Sequence, residues 1–199
     1  KIFVYLLATT ITTYLATVKL GNMAAKNKIA FNAVKAELDK EEKKAWKANF
    51  TKQKKKILVP TVLFNFGILA VLKYSAFVTT NINALFGKFG IGGELPVFQF
   101  LLPLGISFYT FQSMGYLIDV YREKQEPERN FFKLALFISF FPQIVQGPIG
   151  RFGTLAEQLF RPNEFSYTRI KFGVQLMLWG AFKKMVIADR AAILVDNAF

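Results

Sequence analysis

The sequence predicts an all-α, polytopic integral membrane fold of helices and broken or re-entrant segments, on three observations. Apolar residues make up 53% of the 199-residue chain, with phenylalanine alone occurring 23 times. They come in long uncharged blocks, where a soluble helix would interleave them with polar residues. The basic residues between the blocks concentrate in one segment, as they do in loops kept on the cytoplasmic side of a bilayer.

Taken in order, residues 1–20 form an apolar block slightly short of a full crossing and are expected to be a partial span. Residues 21–56 carry eleven lysines and four acids (Glu37, Asp39, Glu41, Glu42), a local balance of 11 − 4 = +7 within a chain of net charge +13. Acids and lysines at i, i+3 and i+4 around Glu37, Lys40, Glu41 and Lys44 predict a polar helix over 23–56, assigned to the cytoplasm. Residues 57–78 contain one charge, Lys73, and at ~1.5 Å per residue cover about 33 Å, enough for a hydrocarbon core. A Gly-rich stretch, 79–96, is expected on the far side.

The next span, 97–118, is uncharged but interrupted by Pro103 and Gly105. The backbone groups freed there are tolerated only where protein or a water-filled cavity satisfies them. Residues 119–130 (DVYREKQEPERN) then return to the lysine-rich side. Residues 131–150 read as a broken or re-entrant segment punctuated by Pro142, Gly147 and Pro148. Residues 172–187 read as a short membrane or interfacial helix ending in Lys183 and Lys184. Lacking an initiator Met and ending at Phe199 within an apolar stretch, the chain is read as the N-terminal and central part, 1–199, of one larger membrane domain.

Composition removes several function classes. There is no cysteine and no histidine, so no metal site, thiol nucleophile or histidine-based pair is proposed within these residues. More than half of the excess positive charge lies in one segment between membrane blocks, which suits anionic headgroups and argues against a nucleic-acid partner.

Two stretches carry candidate chemistry. In PLGISFYTFQSMGYLIDVYR, residues 103–122, Tyr109, Gln112, Ser113, Tyr116 and Asp119 fall at i, i+3, i+4, i+7 and i+10, so they share one helix face. That face points at protein or water, because an unsatisfied polar group in lipid costs several kcal/mol. Two readings stand: interhelical hydrogen bonding, or the lining of a substrate passage. Asp119 and Arg122, at i, i+3, are expected as an interfacial anchor. In SFFPQIVQGPIGRF, residues 139–152, two prolines six apart forbid a straight helix and set Gln143 and Gln146 in irregular backbone. Arg151 follows, a residue suited to a two-pronged grip on phosphate or carboxylate. A surface turn and a binding site both fit this stretch.

PLGISFYTFQSMGYLIDVYR, FISFFPQIVQGPIGRF and LWGAFKKMVIADRAAILVD, in that order and spacing, resemble the membrane-bound O-acyltransferase family, in its alginate O-acetyltransferase-like branch. The resemblance implies helices around a tunnel and an acyl group, commonly acetyl, taken from a cytoplasmic thioester donor such as acetyl-CoA. It implies transfer across a bacterial inner membrane for O-acylation of an exported, alginate-like polysaccharide, with a periplasmic or extracellular partner acyltransferase. It also places the family's essential histidine beyond Phe199, so no catalytic residue is assigned here. Tyr109, Gln112, Ser113, Tyr116, Gln143, Gln146 and Arg151 are the tunnel candidates, and Arg151, Lys183 and Lys184 the donor-side basic candidates. The alternatives are the sister branch that moves D-alanine onto teichoic acid, a membrane transporter, and a non-catalytic scaffold.

Overall fold

The computed structural model describes residues 2–36, 38–89, 95–96, 105–162 and 164–198, which are helical with no strand among them. Two units are distinguished, Lys1–Phe160 and Arg161–Phe199. The expected break at Pro103 and the first part of the 97–118 span, residues 97–104, lie outside the described residues.

Helix α1 (Ile2–Val34) is amphipathic in the sense opposite to a soluble helix. It buries Thr9, Thr10, Thr13, Ala16, Thr17 and Leu20, and exposes Phe3, Val4, Leu7, Ile11 and Leu15. Both sets recur at three- and four-residue spacing, so they occupy opposite faces. Small and hydroxylic residues inward with large apolar residues outward is the arrangement of helices packed within lipid. Three threonines bond back one turn: the Thr10, Thr12 and Thr17 hydroxyls each donate at 2.8 Å, to the carbonyls of Leu6, Ala8 and Thr13, while the buried Thr13 hydroxyl has no partner among the described residues.

Helix α2 (Lys40–Lys88) spans 49 residues. The basic segment expected as one helix is therefore split between two, with a turn after Val34. The restart is encoded locally. The Asp39 backbone N–H donates to the Glu42 carboxylate at 2.9 Å, half of the capping-box pattern in which an acid three residues on closes a helix start. At its other end α2 continues into the stretch expected as an external loop. Asn83 there holds Leu95 through two bonds of 2.9 Å, one to its backbone N–H and one to its carbonyl. Pro60 lies inside α2 without ending it. Both α1 and α2 are long and apolar enough to cross a membrane, and the chain is an all-α membrane protein.

Helix α3 (Ile106–Tyr121) is the hub, packing against α1, α2, α4 (Phe131–Ile138) and α5 (Phe141–Gln146). Its Tyr116 ring lies 4.6 Å from Phe152 of α6 (Phe152–Phe160) and 6.3 Å from Phe137 of α4, while Phe137 and Phe152 meet edge-on at 4.9 Å. These three rings, with Leu117, Val120, Leu134 and Ile138, form the centre of the core. Aromatic triads of this kind add roughly 0.5–1.5 kcal/mol per pair beyond area burial.

In the second unit, α7 (Tyr167–Phe182), a π-helical turn (Lys183–Ala188) and α8 (Asp189–Ala198) follow one another without interruption. Residues 172–187 thus lie inside a longer helical run. Nothing between Gly180 and Asp196 is a proline or glycine that would stop it.

Candidate functional site

Helix α3 begins where the broken segment 139–150 passes it. Gly105 caps α3 with φ +71°, in the left-handed region, and Ile144 of α5 packs directly against its α-carbon. A Cβ there would meet both the side chain and the backbone of Ile144, so glycine is required twice over. This contact seats α5 against the first turn of α3.

The break itself is built differently from the two-proline expectation. Helix α4 ends at Ile138, Ser139 caps it, and Pro142 sits in the first turn of α5, where a missing N–H leaves nothing unsatisfied. The stop comes before the proline, with Phe140 extended between the two helices. Gln143 and Gln146 thus lie in the short helix α5 instead of the irregular backbone expected for them; Gly147 then turns extended, and the Gln143 amide is packed against Gly150.

Of the sequence-derived candidates, Gln112, Ser113 and Tyr116 are buried and bonded within the protein. The Gln112 amide donates to the Phe137 carbonyl at 2.9 Å, and the Ser113 hydroxyl to the Thr110 carbonyl at 2.9 Å. The Tyr116 hydroxyl accepts the Glu128 backbone N–H at 2.6 Å. Gln112 and Tyr116 tie α3 to the end of α4 and to the 122–130 loop, while the Ser113 bond stays within α3. Tyr109 and Gln143 differ from them: the Tyr109 hydroxyl and the Gln143 Oε1 are buried and have no hydrogen-bond partner among the described residues. The side chain of Gln146 lies outside the described residues. Arg151 is exposed just ahead of α6. Lys183 and Lys184 belong to the second unit, where Lys184 pairs with Asp189 at 3.2 Å and Lys183 lies over the Trp179 ring. Asp119 and Arg122 form no ion pair in the structure of the described residues.

Sequence reasoning missed two polar contacts. Asn65 of α2 meets Thr12 of α1 at 3.2 Å and also donates to the Thr61 carbonyl at 2.9 Å. A lone amide in an apolar span was the available signal, since it has to face protein. Lys54 is buried at the end of α3, and nothing in the run Lys54-Lys55-Lys56 distinguishes it from its neighbours.

The probable alginate O-acetylase AlgI of Pseudomonas syringae pv. tomato is 38% identical over 151 residues, covering 75% of this chain and 28% of that protein. That of Pseudomonas aeruginosa is 35% identical over 151 residues, with the same coverage. The peptidoglycan O-acetyltransferase of Helicobacter pylori is 32% identical over 168 residues, 71% of this chain and 31% of that protein. This chain belongs to the membrane-bound O-acyltransferase family. It spans less than a third of the length of these curated relatives. No family profile and no solved structure matches it. Along α3 and the broken segment 139–150, the Tyr109 hydroxyl and the Gln143 Oε1 are buried polar atoms without a partner among the described residues.

Proposed function

We propose that this chain is part of a membrane-bound O-acetyltransferase. It takes an acetyl group from a cytoplasmic thioester, acetyl-CoA by the chemistry required, and moves it across a bacterial inner membrane for O-acylation of an exported polysaccharide. The observation that carries the reading is the similarity to proteins named for O-acetyl transfer to alginate and to peptidoglycan. Those names favour acetyl over D-alanyl as the group moved, and in this reading a partner acyltransferase outside the membrane is the final donor.

Within this reading, the unpartnered Tyr109 hydroxyl and Gln143 oxygen hydrogen-bond the acyl donor or acceptor, because a buried polar atom without a partner is costly unless a ligand satisfies it. Arg151 contacts the phosphates of the donor, and the lysine-rich side faces the cytoplasm. The chain has no histidine, so its role in acyl transfer is to bind and orient rather than to serve as a histidine base.

The test is made on the complete protein in a strain lacking its gene. Restoring it is expected to restore ester-linked acetate in the exported polysaccharide, and full acetate in the strain without it would overturn the proposal. For the donor side, Arg151→Ala is expected to raise the KM for acetyl-CoA several-fold, and an unchanged KM removes Arg151 from that role.

A further inference from the structure

Two shallow grooves flank α1 where its apolar part gives way to its basic part. The lower one, about 340 Å³, lies between α1 and α2 and is walled by Leu15, Ala16, Ile57, Pro60 and Phe64. The upper one, about 460 Å³, runs along α1 past Val18, Asn22 and Lys26. They share Leu15 and Lys19, so they form one continuous trough. On α1 the residues Thr12, Leu15, Lys19, Asn22 and Lys26 stand at i, i+3, i+7, i+10 and i+14, a single stripe down one face.

The trough changes chemistry along its length. Lys19 shares the lower groove with Ile57, the first residue of the 57–78 apolar block, which places it at the membrane boundary. Below it the walls are hydrocarbon, and the Thr12 hydroxyl is already occupied by the Ala8 carbonyl and Asn65. Above it Lys19 and Lys26 are exposed, and neither forms an ion pair in the structure of the described residues.

We propose that this trough binds an anionic phospholipid, with its phosphate held by Lys19 and Lys26 and an acyl chain lying against Leu15, Pro60 and Phe64. The charge and the depth select the occupant together. A soluble anion would use the lysines but leave the apolar wall to solvent, and a zwitterionic lipid would fill the wall but bring its own cation to the lysines. Basic clusters just past a membrane span attract anionic headgroups, here on α1 alone, and grooves of this volume are large enough for part of a lipid.

The complete protein, purified in detergent, is titrated with phosphatidylglycerol or with phosphatidylcholine of the same acyl chains, and bound lipid is counted by native mass spectrometry. The expected result is retention of phosphatidylglycerol at least tenfold stronger than of phosphatidylcholine. The pair Lys19→Ala and Lys26→Ala should abolish that preference, while Lys28→Ala with Lys35→Ala, on exposed residues outside the trough, should keep it. Thr61→Phe, which fills the lower groove and leaves both lysines in place, should weaken retention of either lipid. Equal retention of the two lipids, an equal loss in the Lys28 and Lys35 control, or full retention in Thr61→Phe would each overturn the proposal.

Discussion

Lys54 and Glu123 meet at 2.6 Å, joining the point where α2 becomes apolar to the residue just past α3. The Lys54 ammonium also donates to the Tyr121 carbonyl at 2.9 Å and lies over the rings of Phe50 and Tyr121. A cation at a helix C-terminus satisfies a last-turn carbonyl and opposes the negative end of the helix dipole. Nearby, Tyr14 of α1 donates to the Arg129 carbonyl at 2.7 Å and Gly21 packs against Pro127. The loop 122–130 is therefore gripped by α1 and α2 at one level of the molecule.

Lys54→Met keeps the stem and removes the charge, leaving the Tyr121 carbonyl without its donor. The Lys54 side chain is 10% exposed and that of Glu123 is 55% exposed. The loss is accordingly expected at about 1–3 kcal/mol for Lys54→Met and well under that for Glu123→Gln. Thermal unfolding of the complete protein in detergent should rank the two in that order, and equal shifts would show that the carbonyl contact contributes nothing.

Gly105→Ala places a side chain at φ +71° against Ile144. Left-handed backbone costs about 1–2 kcal/mol for a non-glycine residue, and overpacking adds a similar amount. Adding Ile144→Ala should recover part of the lost melting temperature but not all of it, because the Ile144 carbonyl still crowds the new Cβ. Full recovery would assign the cost to the side-chain clash alone.

Asn65→Leu is expected to cost less than about 1 kcal/mol, since the Thr12 hydroxyl keeps its bond to the Ala8 carbonyl. Asn65→Asp places an ionisable group among the spans and should be far more damaging. A double-mutant cycle with Thr12→Val measures the direct pair, with about 0.5–1 kcal/mol of coupling expected.

Tyr109→Phe removes a hydroxyl that has no partner among the described residues, so the melting temperature should stay where it is while acetyl transfer falls at least tenfold. Gln112→Leu should do the reverse of this at the level of stability, costing about 0.5–1.5 kcal/mol by removing the amide bond to the Phe137 carbonyl, which keeps the Phe140 N–H at 3.4 Å. Unchanged polysaccharide acetate in Tyr109→Phe would reject a substrate role for that hydroxyl.

What the sequence determined by itself follows from local composition and spacing. Uncharged blocks demand helices in a bilayer, because a spanning chain has to satisfy its own backbone. The spacing of Tyr109, Gln112, Ser113 and Tyr116 placed them on one face without contacts being known, and three motifs were specific enough to carry the family. Tertiary structure alone decided which polar groups are used up. Gln112 and Tyr116 find their partners 25 and 12 residues away, while Tyr109, on the same face, finds none among the described residues. It also decided that Lys54, identical in type to Lys55 and Lys56, is the one drawn inside. Periodicity assigns a residue to a face, but only the packing of other helices against that face determines whether a polar atom there meets a carbonyl, a carboxylate or an open position.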